Sequence, residues 1–335
     1  RPPRSTLFPY TTLFRSIIVN VLILGYFKFF IDSFNPLKLI VPMGISYYTL
    51  QVISYLVDVY KGKYKYEDNL LLFSLYLTYI PHLYIGPISR YEDIKSELLR
   101  EKSFDLNRIY EGLQRVIWGL IKKLIIASRI GILISSVTSN NMTGIIVLVC
   151  CLLYSIELYS DFSGGIDIVL GISKILDFKL VENFNSPYLA ENMKEFWNLW
   201  HISLSSWLKD YVYIPLGGNR KGKLRQKINV IITFLVSGLW HGINYIVWGL
   251  FNGILVILGN KYNTKNKWVN RTINYVIVSL LWIFFIYQDN LLGFKYLFSI
   301  FSNFKLPLLS LGLNIGDYII LAISILTLFI YDFNK

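Results

Sequence analysis

The sequence predicts an all-α membrane protein that crosses the bilayer several times, and three observations carry that expectation. Only 16% of the 335 residues are charged and 54% are hydrophobic, whereas a soluble domain carries about 25% charged residues. The apolar residues fall in repeated runs that reach across a hydrocarbon core of about 30 Å at about 1.5 Å per helical residue. The Lys and Arg residues gather between those runs, as cytoplasmic loops require. Mean hydropathy is +0.48, and the 16% aromatic content suits interfacial belts. Basic residues interleaved with apolar runs argue against a nucleic-acid surface despite the formal charge of +12. The expected partner at this level is the lipid bilayer.

Residues 1–16, RPPRSTLFPYTTLFRS, match an in-frame translation of a common short-read sequencing adapter. They are expected to be an artefact and are set aside from fold arguments. Residues 17–335 are then expected to form one multi-span domain, truncated at its N-terminus. There is no internal repeat, low-complexity tract or linker.

The elements follow in order. Ile17 to about Phe34 reads as a span with a lone Lys28, and Leu39 to about Tyr60 as a second. Asn69 to Ile88 is apolar but broken near its end by Pro81, Gly86 and Pro87. Such backbone survives at membrane depth only against protein or a wet cavity, so a re-entrant hairpin and a full span both remain open. Ser89–Arg108 reads as a surface loop or interfacial helix. Tyr110 to about Ser136 is a span in which Lys122 and Lys123 snorkel or mark a cytoplasmic end.

Met142–Ser160 is strongly apolar and runs into Asp161-Phe-Ser-Gly-Gly; Ile166–Leu176 continues as helix. Val181–Ala190 is a polar turn around Pro187. Glu191–Val212, with Trp197, Trp200 and Trp207, reads as one or two short amphipathic helices in the interface plane. Arg220, Lys221, Lys223, Arg225 and Lys227 form a cytoplasmic basic loop. Spans follow at Ile228–Trp240, Ile243 to about Leu258, Ile273 to about Tyr287 and Ile315 to about Tyr331. Leu291–Phe304 is a short interfacial helix.

The chemistry concentrates between Glu195 and Gly249. Two of the three histidines, His201 and His241, each follow a tryptophan there. An imidazole is costly to keep in hydrocarbon, which marks a candidate reaction site. A neutral imidazole takes a proton from a hydroxyl, and desolvation favours that neutral form. Taken singly, each histidine reads more readily as a hydrogen-bonded core or interfacial residue; the repeated Trp-His pairing strengthens the functional reading, though spacing alone is a weak signal. No metal site is expected, because no His-x-x-x-His or Cys-x-x-Cys pair occurs and Cys150 and Cys151 are adjacent in an apolar run. Gly217-Gly218 is a turn or an anion cradle. Glu157, Asp161 and Asp167 either pair, line a cavity or sit at the aqueous boundary.

Several stretches together resemble the membrane-bound O-acyltransferase family, in its bacterial alginate and polysaccharide O-acetylation branch. They are LGYFKFF (24–30), MGISYYTLQVISYLVDVYKG (43–62), YIGPISRY (84–91), ELYSDFSGGIDIVLGIS, ENFNSPYLA, FWNLWHISLSSWLKDYVYIPLGGNR and GLWHGINYIVWG. The resemblance covers most of residues 24–258 and implies a ring of transmembrane and re-entrant helices around a central tunnel. It implies that His241 is the catalytic histidine and His201 the second functional one. Trp240, Asn185, Asp161 and His82 are tunnel-lining candidates, and Arg220, Lys221, Lys223 and Arg225 donor-docking candidates. No cofactor is expected to be bound; the donor substrate is an acyl thioester, acetyl-CoA or an acyl carrier.

The resemblance further implies an extracytoplasmic acetyltransferase partner, a polysaccharide acceptor and a bacterial cytoplasmic-membrane location. Two positions depart from the family pattern: His82 stands where Gln is common and Gly165 where Tyr is usual. D-alanyl transfer to teichoic acid is the nearest alternative, although the YIPLGGNR segment favours O-acetylation. A transporter or a non-catalytic scaffold are the alternatives of another class.

Overall fold

The computed structural model describes residues 10–31, 33–36, 38–79, 85–305 and 313–333. Every regular element among them is helical. Among the described residues, four helices are long and apolar enough to cross a membrane: Thr11–Phe30, Ile145–Ile175, Lys267–Ile286 and Ile315–Phe333, with a shorter apolar one at Ile243–Leu258. Close packing divides the chain into two compact units, one formed by residues up to Leu113 with Val169–Val181, the other by Gln114–Ile168 with Glu182 onward.

In the first unit, α1 (Tyr10–Gly25) begins inside the stretch set aside above and runs on as a widened turn, Tyr26–Phe30. The second span is shorter than expected. Helix α2 is Ile45–Tyr60, because Gly44 at φ +74° starts it there and residues 39–43 are not helical. Helix α3, Leu70–Thr78, starts at the Asn69 cap. Its nine residues are too few to span a bilayer; the Pro81 break that follows lies outside the described residues. Helix α4, Tyr91–Leu99, lies within the stretch expected as a surface loop or interfacial helix. Tyr55, Tyr76, Tyr91, Ile94 and Phe178 form this unit's aromatic core. Lys95 and Tyr91 both donate to Glu67 and hold its carboxyl down at about 2.

Helix α5 (Leu106–Leu120) continues through a π-helical stretch, Ile121–Ala127, into α6 (Ser128–Ser139). Helix α7 (Ile145–Ile175) is continuous through Asp161-Phe-Ser-Gly-Gly. The glycines there mark close helix packing: in the second unit, a Cβ on Gly119 would lie 2.5 Å from the Gly164 carbonyl oxygen. That contact aligns two charged stripes. Lys122 pairs with Asp167 and donates to Ser163 Oγ at 2.8 Å, Arg115 meets Asp167 at 3.0 Å, and Lys123 pairs with Asp161.

The expectation that Lys122 snorkels or ends a span is therefore corrected. It is buried at 3% exposure, neutralised by a carboxylate on the neighbouring helix. Both adjacent lysines of the π-helical stretch reach carboxylates on α7.

The rest of the second unit follows the expected order. Helices α8 (Met193–Leu199) and α9 (Ile202–Leu208) are short, and Met193, Phe196, Trp200 and Trp207 are buried. Helices α10 (Gly222–His241) and α11 (Ile246–Leu258) form a tight hairpin. Gly238 makes it possible, since a Cβ there would lie 2.5 Å from the Tyr245 carbonyl oxygen. Helices α12 (Lys267–Leu281), α13 (Ile283–Ile286), α14 (Asn290–Ser299) and α15 (Ile315–Phe333) complete the chain.

Candidate active site

His241 is the last residue of α10. Gly242, at φ +153°, ends the helix in a conformation that side-chain-bearing residues rarely adopt, and its N–H still closes onto the Gly238 carbonyl. The imidazole thus stands at the turn of the hairpin, half-buried in an aromatic cage. Its ring centroid lies 4.7 Å from Trp240, 5.4 Å from Phe285, 5.6 Å from Trp248 and 6.2 Å from Tyr245, all near-perpendicular.

His201 is held differently. It sits between α8 and α9 at φ +44°, an uncommon conformation for a residue with a side chain. Local hydrogen bonds impose it. Asn183 is fully buried; its carbonyl accepts from Ile202 N at 3.0 Å, and its Oδ1 accepts from Ser203 N at 3.0 Å and Ser203 Oγ at 2.9 Å. His201 itself caps α9: Nδ1 accepts from Leu204 N at 3.3 Å. A ring nitrogen that accepts a backbone N–H carries no proton, so the proton of the neutral ring sits on Nε2. At 3% exposure, burial pushes the imidazole down to about 4, only partly offset by a backbone hydrogen bond. At neutral pH His201 is therefore an uncharged ring with one N–H to offer.

The two histidines meet on a shared side chain. Trp240 lies 6.2 Å from His201 and 4.7 Å from His241, edge-on to both, and Phe162 packs against His201 at 4.8 Å. The two other described tunnel candidates, Asp161 and Asn185, make contacts of their own. Asp161 is paired with Lys123 and 45% exposed at its side chain. Asn185 is exposed, and its main-chain N–H donates to Leu199 O. His82 lies outside the described residues. Arg220, Lys221, Lys223 and Arg225 are exposed on and beside the Gly217-Gly218 turn, which Asn229 anchors by donating to Gly218 O at 2.9 Å. Among the described residues, no three His, Cys, Asp or Glu side chains gather where they could hold a metal ion.

Sequence reasoning missed Asn183, Phe162, Trp248 and Phe285. Asn183 lies two residues before the asparagine that was singled out, and only the fold shows which amide turns inward. Phe285 is distant in sequence and carries no motif. Trp248 was quoted within GLWHGINYIVWG without a role.

Fold and site define a helical, multi-span membrane protein with two imidazoles gathered on one indole among aromatic rings. The chain belongs to the membrane-bound O-acyltransferase family, whose model matches residues 67–297. It is 36% identical over 297 residues to a probable alginate O-acetylase of Pseudomonas syringae pv. tomato, covering 82% of this chain and 57% of the relative. It is 34% identical over 322 residues to a peptidoglycan O-acetyltransferase of Helicobacter pylori (82% and 61%). It is 31% identical over 254 residues to a teichoic acid D-alanyltransferase of Bacillus subtilis (70% and 63%). The chain thus spans less than two thirds of the length of these relatives.

Proposed function

We propose that the protein moves an acetyl or other acyl group from a cytoplasmic thioester to a hydroxyl of an extracytoplasmic polysaccharide or of a partner protein, in a bacterial cytoplasmic membrane. The observation that carries this reading is the pair of imidazoles packed on Trp240, one of them fixed as an Nε2–H donor. His241 takes the acceptor hydroxyl's proton as its oxygen attacks the thioester carbonyl. His201 Nε2–H donates to the carbonyl oxygen as negative charge develops, the part of an oxyanion donor. Collapse breaks the C–S bond, and His241 returns its proton to the departing thiolate. His201 is unsuited to the base's role, because its Nδ1 lone pair is already engaged by Leu204 N–H.

The exposed basic turn at Arg220, Lys221, Lys223 and Arg225 suits a phosphate-bearing donor such as acetyl-CoA or an acyl carrier. Two of the relatives are named as O-acetylases or O-acetyltransferases of alginate and peptidoglycan, which supports a polysaccharide acceptor; within this proposal an extracytoplasmic transferase partner completes delivery. D-alanyl transfer is the second reading, supported by the B. subtilis relative.

The test is to supply membranes carrying the protein with thioester labelled in its acyl group, together with acceptor polymer. Acyl transfer predicts one free thiol released for each label fixed on the polymer. Solute flux without thioester consumption would establish a transporter instead, and preference for a D-alanyl thioester would establish the second reading.

A further inference from the structure

A groove distant in sequence from the histidine pair lies among α7, α12 and α15, wholly within the second unit. Its cavity volume is about 310 Å³, within the range of ligand sites. These three helices are among the candidate membrane spans. Its walls are made by Ile156, Leu189, Ile325 and Leu328 and by three tyrosines, Tyr159, Tyr188 and Tyr275.

All three tyrosine hydroxyls are hydrogen-bonded, that of Tyr159 to Asp332, which also lines the groove. Tyr159 donates to Asp332 Oδ1 at 3.0 Å, Tyr188 to Ser155 O at 2.8 Å and Tyr275 to Leu152 O at 2.7 Å. With these hydroxyls engaged and Ile156, Leu189, Ile325, Leu328 and Phe329 on the walls, the groove suits an alkyl chain better than a sugar. On the neighbouring surface of α15, Ile323, Leu326 and Ile330 are more than half exposed, as a lipid-facing helix requires.

One end of the groove is different. Trp268 stacks on Phe333 with centroids 5.6 Å apart, and the Arg271 guanidinium lies 4.8 Å over the Trp268 ring. Arg271 also lines the groove, so its guanidinium presents a cation to an anionic oxygen there. Lys261, Lys265 and Lys267 are exposed at the same end of α12. That end follows two antiparallel helices, α10 and α11, from the basic turn at residues 220–227. The positive-inside rule places both basic ends on the cytoplasmic side, the leaflet with the negative surface potential. From Trp268 to Tyr275 is two turns of α12, about 10 Å of groove for a chain.

We propose that this groove holds one anionic phospholipid of the cytoplasmic leaflet, its phosphate on Arg271 and an acyl chain along Tyr275, Ile325 and Leu328. The site is independent of the acyl-transfer reading and stands or falls separately from it. The test is native mass spectrometry of the purified protein titrated with phosphatidylglycerol and, separately, phosphatidylcholine. Wild type is expected to retain one phosphatidylglycerol with about tenfold preference, because the choline ammonium of phosphatidylcholine offsets its phosphate charge beside Arg271 and the lysines. Arg271→Gln is expected to abolish the preference. Thr272→Trp, an exposed position on the groove wall, is expected to displace the lipid without disturbing the core. Equal retention of the two lipids by wild type, an unchanged preference in Arg271→Gln, or full retention in Thr272→Trp would each overturn the proposal.

Discussion

Acidification should destabilise the protein through His201, and a single variant isolates the effect. The imidazole is fully enclosed and its pKa falls from 6.5 to about 4 because burial penalises the cation. The unfolded chain therefore binds a proton that the folded chain refuses between those two values. Stability contributed by the neutral ring is complete above pH 6.5 and is lost as pH falls toward 4. At about 1.4 kcal/mol per pH unit, the loss is about 2 kcal/mol at pH 5 and about 3 kcal/mol below pH 4.

His201→Asn is the matched control. Asn tolerates positive φ and caps helices well, so it preserves the backbone and the Leu204 hydrogen bond while removing the titration. Unfolding free energy in mixed micelles is measured at pH 7 and pH 5 for both proteins. Carboxylates titrate alike in each, so the difference of differences reports His201. Wild type should lose about 2 kcal/mol more than His201→Asn between the two pH values. Identical losses would refute the buried, neutral His201.

Three further outcomes follow from the same geometry. His201→Asn, although folded, lacks an N–H at the Nε2 position and should lower acyl transfer by about 10²–10³-fold in a labelled-thioester assay, as loss of an oxyanion donor does. Gly238→Ala drives a Cβ to 2.5 Å from the Tyr245 carbonyl oxygen; thermal unfolding should show about 1–3 kcal/mol of destabilisation, and transfer should fall as the turn carrying His241 is displaced. Asp167→Asn leaves Lys122 buried without its counter-ion and should cost about 3–5 kcal/mol in the same unfolding measurement. Replacing both residues, as Lys122→Met with Asp167→Leu, should recover part of that loss.

The helical order was legible because hydrophobic runs and prolines act locally. Pro187 does mark a turn, and Trp197 to Trp207 do fall on two short helices. Misreadings arose where neighbours decide. Lys122 reads as a snorkelling end in isolation because its partner lies on another helix. The paired glycines of Asp161-Phe-Ser-Gly-Gly lower helix propensity, and only the fold shows that Gly164 serves a close approach to Gly119. Both histidines were visible from their tryptophans. Their different chemical states were not, since the Nδ1 contact to Leu204 and the inward turn of Asn183 depend on a left-handed residue that no local pattern announces.

The most direct test of the account is His241→Ala, assayed for transfer of labelled acyl groups from thioester to polymer in membranes where the variant's abundance is measured in parallel. General-base catalysis predicts a loss of about 10²–10⁴-fold with the protein still present in the membrane. Transfer at the wild-type rate from an equal amount of membrane-embedded variant would contradict the account.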